Sequence, residues 1–418
     1  MKKQILIRFG DLVLKGKNIG FFIRAIRAHV KHSLHDIDVD FLHTHDRMYI
    51  KFNGQDEQEI IRRLKRIPGL YSFSLVYETS HDLQDIIETA IVAANEQLKD
   101  EKTIKVETKR ADKSYPLKSL EVTKKISGPI LSRINRELTV DVKHPDAVIN
   151  IEIRKDLSFV FIGQVKGMGG FPFGTAGQGL VMMSGGIDSP IAAYLAMKQG
   201  IKVSLFHFES TPLTPLESVQ KVIDLAKVLS LYTINGSIRL HLVPFIDIHE
   251  NLLKYVTDSY IITIMRRMMY RLAESYATAH DIKCLINGES VGQVASQTLA
   301  SMQVVEQVTT MPILRPVVTY DKSDIIKLAF DLETFNISTR PFNDCCSIYV
   351  PRNPVTNPKL TFAEKEEKKV DFSLIDQAIE RIVTIDVTPK LDFEIANYGF
   401  SVSDAYQAYR EVKRKIYD

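Results

Sequence analysis

Cysteine is scarce in this sequence: 418 residues hold three, Cys284, Cys345 and Cys346, with no C-x-x-C pair. That excludes a disulfide framework and leaves no thiolate set for zinc or an iron–sulfur cluster, so reduced thiols and no structural metal are expected. No run approaches the roughly 18 uninterrupted apolar residues of a membrane span. The start, "MKKQILIRFGDLVLKG", has no apolar segment ahead of a small-residue cleavage site, and a cytoplasmic protein without a membrane partner is expected. Internal repeats and low-complexity tracts are missing too. A further absence is chemical: "VMMSGGIDS" at 181–189 has the glycines of a phosphate loop but not the Lys-Ser/Thr pair of a Walker A motif.

What is present suffices for real cores. Apolar residues make up 45% of the chain, and the length predicts about three domains. Net charge is only +3, yet residues 1–75 carry fourteen Lys/Arg against eight Asp/Glu, and residues 101–136 carry ten against four. Two basic stretches in the first third fit a polyanion footprint, because each phosphate contact releases counterions. Solvated faces of ordinary helices are the plain alternative.

Three blocks follow from periodicity. In residues 1–77, "QILIRFG", "DVDFLHT", "RMYIKFN" and "LYSFSLVYE" read as strands, with helices at "NIGFFIRAIRAHVKHSL" and "DEQEIIRRLKRI". That βαββαβ order is the split βαβ sandwich of a ferredoxin-like domain. Residues 78–166 run helix, strand "TIKVETKR", helix "LKSLEVTKKISGPILSRI", then strands "AVINIEIR" and "LSFVFIGQV". Lys109, Arg110, Lys113 and Lys118 cluster there around Tyr115, a grouping that suits an RNA backbone with an unstacked base nearby. Residues 167–179 hold six of the twenty glycines and read as a linker, with a glycine-lined ligand approach as the alternative.

The third block, 180–418, alternates strand and helix and predicts a doubly wound parallel sheet. Ligands in such sheets sit beyond the carboxyl ends of the strands. Three predicted strand ends carry polar or glycine-rich tails: "SGGIDS", "HFES" and "NGES". Ser184, Gly185 and Gly186 can form a backbone nest at a helix N-terminus, which binds an anion without a lysine. Ser189 is expected to cap that helix or donate to phosphate. Asp188 would repel a bare phosphate and so fits Mg²⁺ or a water network. A tight turn with a capping serine is the simpler reading.

S-G-G-x-D-S after a strand resembles the signature of the PP-loop ATP pyrophosphatases, which cleave ATP between the α and β phosphates and adenylate a substrate. "GESVGQVASQTL" at 288–299, "ILRPVVTYDKSDII" at 313–326 and "DCCS" at 344–347 resemble the tRNA 4-thiouridine synthetases, the tRNA sulfurtransferase family. The resemblance covers nearly the whole chain. It implies a ferredoxin-like domain, a THUMP RNA-binding domain, to whose core "VETKRADKSYPLKSLEVTKKISGPI" is similar, and a PP-loop domain.

The implied reaction transfers AMP to the carbon-4 oxygen of uridine at tRNA position 8, and a cysteine persulfide then delivers sulfur. An enzyme that cleaves between α and β phosphates need not grip a γ-phosphate, so the missing lysine is expected. By position the resemblance gives nucleotide roles to Met182, Met183, His207, Phe208, Arg266, Gly288 and Gln297, and makes Lys322 a stabiliser of developing negative charge. Apolar core packing is the alternative for the methionines, Arg267 competes with Arg266, and a surface charge is the alternative for Lys322.

The persulfide carrier is Cys346 or, with a shift of one residue, Cys345; Cys284 in "KCLIN" reads as core. Within 180–418 only about sixty residues follow the PP-loop core, as a C-terminal helical extension, which leaves no room for a rhodanese domain and predicts the short form of the family. Sulfur would then come from a cysteine desulfurase, with the neighbouring thiol resolving the persulfide. The thiazole role of some relatives in thiamine biosynthesis goes with the rhodanese domain and is not secured. Relatives commonly pair as homodimers. A small-molecule PP-loop ligase and a non-catalytic RNA-binding protein remain as rival readings, which ATP-to-AMP turnover and its acceptor separate.

Overall fold

The computed structural model describes residues 2–10, 18–43, 47–294, 297–342, 351 and 353–417. The chain forms two compact units, Met1–Gly170 and Phe171–Asp418.

The first unit begins with β1 (Lys3–Arg8), a helix over Ile19–Ser33, β2 (Val39–His43), β3 (Arg47–Phe52), a helix over Glu57–Leu64 and β4 (Ser72–Thr79). This is the expected βαββαβ order. The first helix buries Ile23, Ile26, His29 and Val30, a spacing of three and four that puts them on one face. A helix over Leu83–Gln97 comes next, then β5 (Thr103–Arg110), a helix over Ser119–Arg133, β6 (Thr139–Val140), β7 (Ala147–Ile153), β8 (Ser158–Ile162) and β9 (Val165–Lys166). Asp82 caps the Leu83–Gln97 helix by accepting from the backbone N–H groups of Gln84 and Asp85, which satisfies two donors left open at any helix start.

All nine strands share one sheet, ordered β2-β3-β1-β4-β8-β7-β5-β6, with β9 also on β4. The joint is the antiparallel pairing of β4 with β8, Val76 opposite Phe161 and Thr79 opposite Ser158. β4 is therefore interior, and its burial is almost continuous along both faces. Gly163, at φ +62°, breaks the predicted strand "LSFVFIGQV" and lets Val165 return to pair with Phe73. Gly167 passes so close to β4's approach that a Cβ there would lie 2.3 Å from the Leu70 carbonyl oxygen.

The second unit contains β10 (Gln178–Met182), β11 (Lys202–Glu209), β12 (Ile238–Pro244), β13 (Cys284–Ile286), β14 (Ile313–Leu314) and β15 (Val383–Val387). Their order is β14-β13-β10-β11-β12-β15. The first five are parallel, as expected. β15 is not foreseen by the sequence reading, which runs a helix through "FSLIDQAIERIV": the helix ends at Glu380, and Val383 opens a strand antiparallel to β12. Ile385 and Val387 point into the core while Thr384 and Asp386 face out, the alternation of a half-buried edge strand.

Helices over Asp188–Lys198, Leu216–Ser230 and Ile261–Ala279 flank this sheet. Leu180, Phe206, Phe208 and Leu285 of the strands pack with Ile264, Met268 and Leu272 of the last helix. β10 has β11 on one side and β13 on the other, so the strand order reverses there. Its carboxyl end is the switch point at which doubly wound sheets bind ligands. Among the described residues, no helix is long and apolar enough to cross a membrane.

Candidate active site at the switch point

The loop after β10 is held from within. The Ser184 N–H donates to Ser189 Oγ at 3.0 Å, and the Ser189 hydroxyl returns its proton to the Ser184 carbonyl at 2.9 Å. Ser189 is thus folded back on the loop, and the N-cap position of the helix falls on Ile187, with no side-chain capping bond. Gly186 N–H lies 3.3 Å from Ser184 Oγ, and Ser338 Oγ donates to the Gly186 carbonyl at 3.3 Å. Gly185 is buried. The result is a tight turn at the N-terminus of the Asp188–Lys198 helix, where backbone N–H groups and the helix dipole favour an anion.

Asp188 opens that helix. Its Oδ1 accepts from Lys322 Nζ at 2.6 Å and its Oδ2 from Gln293 Nε2 at 3.2 Å. Asp188 and Lys322, catalytic candidates 134 residues apart in the sequence, are therefore in contact. Both keep partial access to solvent, with 22% and 41% of their side chains exposed, which leaves them open to a ligand. Lys322 also begins its own helix, Lys322–Asp331.

Gly288 follows β13 and lies against the loop. A Cβ there would come within 2.7 Å of Asp188 C and Ser189 N, so only glycine allows this approach. Beyond it, the Glu289 carboxylate receives Arg266 Nη2, Arg315 Nε at 2.9 Å and Asn287 Nδ2 at 2.9 Å. Arg267 instead points into the core, to the Val304 carbonyl and Glu367, both at 2.6 Å. Of the two adjacent arginines, Arg266 is the one that joins the strand-end cluster.

The remaining candidates divide by what their side chains do. His207 is buried, with Nδ1 2.9 Å from the Met183 carbonyl, and the Met183 N–H donates to the Phe206 carbonyl at 2.8 Å. Met183 and Phe208 are core side chains, Phe208 packing edge-on against Phe206 and Phe245, and neither side chain is open to a nucleotide. Met182 is partly buried against the same core. Gln297 reaches back to Ser290 and Gly292, its Oε1 3.4 Å from the Ser290 N–H and its carbonyl accepting from the Gly292 N–H at 3.0 Å. Cys284 is half-buried, and burial pushes its thiol above the ordinary range. Cys345 and Cys346 lie outside the described residues.

Glu289 and Arg315 escaped the sequence reading. Both fall inside motifs quoted for the resemblance, but nothing local says that one carboxylate meets two arginines distant in sequence. A separate cavity of about 430 Å³ lies at the opposite, amino ends of the strands, lined by Gln178, Lys202, Arg239, His241, Tyr276 and His280. It is remote from the loop.

In the first unit Lys109, Lys113 and Lys118 are exposed. Arg110 is not spare: its Nη1 donates to the Tyr115 carbonyl at 2.8 Å and the Leu117 carbonyl at 3.2 Å. Tyr115 donates its hydroxyl to the His81 carbonyl at 3.0 Å and meets the His81 ring edge-on. These two groups shape the 111–118 loop and leave the lysines to face solvent.

Comparison with known proteins agrees with this geometry. A family model described as "Thiamine biosynthesis protein (ThiI)" matches residues 174–372, its ferredoxin-like domain matches 4–74, and a THUMP domain matches 80–162. A "Probable tRNA sulfurtransferase" of Acholeplasma laidlawii is 54% identical over 98% of this chain and 100% of its own length. The chain belongs to the ThiI family. Another ThiI relative, a "Probable tRNA sulfurtransferase" of Limosilactobacillus fermentum, is 40% identical over 92% of this chain and 95% of its own. The crystal structure of a 4-thiouridine synthetase–RNA complex with bound ATP superposes with a TM-score of 0.83 at 31% identity, covering 93% of this chain and all of that one.

Proposed function

We propose that this chain is an ATP-dependent tRNA sulfurtransferase that converts uridine at tRNA position 8 to 4-thiouridine in the cytoplasm. The observation that carries the reading is the lysine-free loop 184–189 at the switch point, with Asp188 and Lys322 paired beside it at 2.6 Å. The N-terminus of the Asp188–Lys198 helix, behind the Ser184–Gly186 turn, suits a departing pyrophosphate. Backbone groups of Met182, His207 and Phe208, at two adjacent strand ends that Met183 ties together, suit the edge of an adenine. Arg266, Gly288 and Gln297 complete the nucleotide's surroundings, and Lys322 meets the charge that develops as the α–β bond breaks.

Mg²⁺ fits this donor set in its usual manner, held by one carboxylate and the nucleotide's own phosphates. Asp188 is the carboxylate that would hold it, and the ion would shield phosphate charge. Among the described residues, no cluster of three or more His, Cys, Asp or Glu side chains forms a separate metal centre.

In the first step the uridine carbon-4 oxygen bonds to the α-phosphorus and pyrophosphate leaves. In the second, the terminal sulfur of a persulfide on Cys346 or Cys345 attacks carbon 4, and the C–O bond breaks to release AMP. The neighbouring thiol then attacks the sulfur–sulfur bond, which frees 4-thiouridine and leaves a disulfide for an external thiol reductant. A cysteine desulfurase partner supplies the persulfide, tRNA binds through the basic first unit with Lys109, Lys113 and Lys118 as phosphate contacts, and two copies of the chain pair as a homodimer.

The test is 4-thiouridine formation in unmodified tRNA with Mg-ATP, cysteine and a desulfurase, comparing wild type with Cys345→Ser, Cys346→Ser and Asp188→Ala. With an external thiol reductant present to cleave the sulfur–sulfur bond, product from wild type and Cys345→Ser but not from Cys346→Ser supports the reading and names the carrier; without reductant, Cys345→Ser should also fail to release product. Asp188→Ala should stop AMP release and leave tRNA binding intact. AMP release by wild type without thiolated tRNA would send the search to another acceptor.

A further inference from the structure

Stability alone gives little reason for the buried carboxylate of Glu289. The residue is 9% exposed, and its oxygens face Arg266, Arg315 and Asn287. Desolvating such a set costs several kcal/mol that pairing offsets only in part, and well-packed apolar residues often do as well. Its position is more telling. Glu289 directly follows Gly288, the residue pressed against the backbone of Asp188 and Ser189. Asn287 fixes the turn from the other side: its Oδ1 accepts the Glu289 N–H at 3.1 Å while its Nδ2 donates back to the carboxylate. Two guanidiniums thus share one carboxylate beside a loop already built for anions. Arg315 extends its other arm to Glu306 at 2.8 Å, which fixes the plane of its fork.

We propose that Glu289 is a positioning residue that holds Arg266 and Arg315 as a paired guanidinium clamp for the polyphosphate of the bound nucleotide. The proposal rests on the nucleotide-binding reading of the loop and deepens it: Arg315 becomes a phosphate ligand, and Glu289 acts through the two arginines. Planar forks recognise phosphate oxygens in pairs, and a fork is useful only if its plane is set before the ligand arrives. A shared carboxylate does that for both at once.

Positioning and competition predict opposite signs, and equilibrium binding separates them without turnover. The probe is the non-hydrolysable α,β-methylene analogue of ATP with Mg²⁺, titrated calorimetrically into the full chain. Glu289→Gln keeps the shape and removes the charge that orients the arginines; Arg315→Lys keeps the charge and removes the fork. Each should weaken binding about tenfold, the scale of one charged hydrogen bond. In AMP-release assays, KM for ATP should rise by a similar factor with kcat little changed.

Tighter binding by Glu289→Gln would mean that the carboxylate competes with phosphate for the arginines, and the proposal fails. Unchanged binding by both variants also overturns it, as does a lowered melting temperature with normal KM, the pattern of a purely structural network. No binding by wild type would sink the nucleotide reading itself, a result distinct from these.

Discussion

A methyl group at position 288 would sit 2.7 Å from backbone atoms of Asp188 and Ser189. Neither neighbour is the movable end of a side chain, so the loop must shift. Gly288→Ala should cost about 1–3 kcal/mol, the usual range for overpacking, and weaken nucleotide binding by displacing the 184–189 turn; thermal melting and calorimetric titration read the two effects. At His241, burial creates a pH effect that no local pattern announces. Burial, reinforced by His280 and Arg239, holds the His241 imidazole down to about 4, against about 6.5 in an unfolded chain. Between those values the unfolded chain binds a proton that the folded one refuses. Stability is therefore present above pH 6.5 and falls as pH drops toward 4, by up to about 3 kcal/mol. Urea unfolding of the second unit at pH 7.5 and pH 5 should show the loss, and His241→Asn should show much less of it.

At the scale of elements, β15 closes the sheet edge beside β12. Ile385 is 2% exposed, and Ile385→Ala should cost about 2–5 kcal/mol, measured as the unfolding free energy of the second unit. His241 reinforces this edge from β12, with Nδ1 2.9 Å from Thr384 Oγ1. The difference between what was legible and what was not lies in range. Helix Leu216–Ser230 and strands β10 to β12 follow from periodicity within a single window, and the loop follows from six adjacent residues. β15 is five residues long and comes straight after a helical run, so its alternation had too little length to compete. The Asp188–Lys322 contact joins two flagged residues that nothing local connects, and the Arg266–Glu289–Arg315 cluster brings together three segments. Arg110 adds what charge alone does not show: its Nη1 holds the Tyr115 and Leu117 carbonyls.

For the whole molecule, salt dependence distinguishes these roles. Lys109→Ala and Lys113→Ala should each flatten the log–log salt slope of tRNA binding by about 0.7–0.9, the release of one counterion per phosphate. Arg110→Ala should instead loosen the 111–118 loop, visible as faster amide exchange there. An unchanged slope in both lysine variants would move the RNA footprint elsewhere. The shared sheet makes a further demand. A fragment ending at residue 77 would strip β4 of its β8 partner and expose Phe159's neighbour strand as a raw edge, so it should aggregate, whereas a cut after Gly170 should leave a soluble unit; size-exclusion chromatography of the two decides.

The β4–β8 joint also sets a clock during synthesis. β4 is complete at Thr79, but β8 begins only at Ser158, and a ribosome adding about 5–20 residues per second needs roughly 4–16 s to cover the interval. For that time the amino-terminal half is a nascent domain with one flank open, and its final shape waits on the part of the message still to be read.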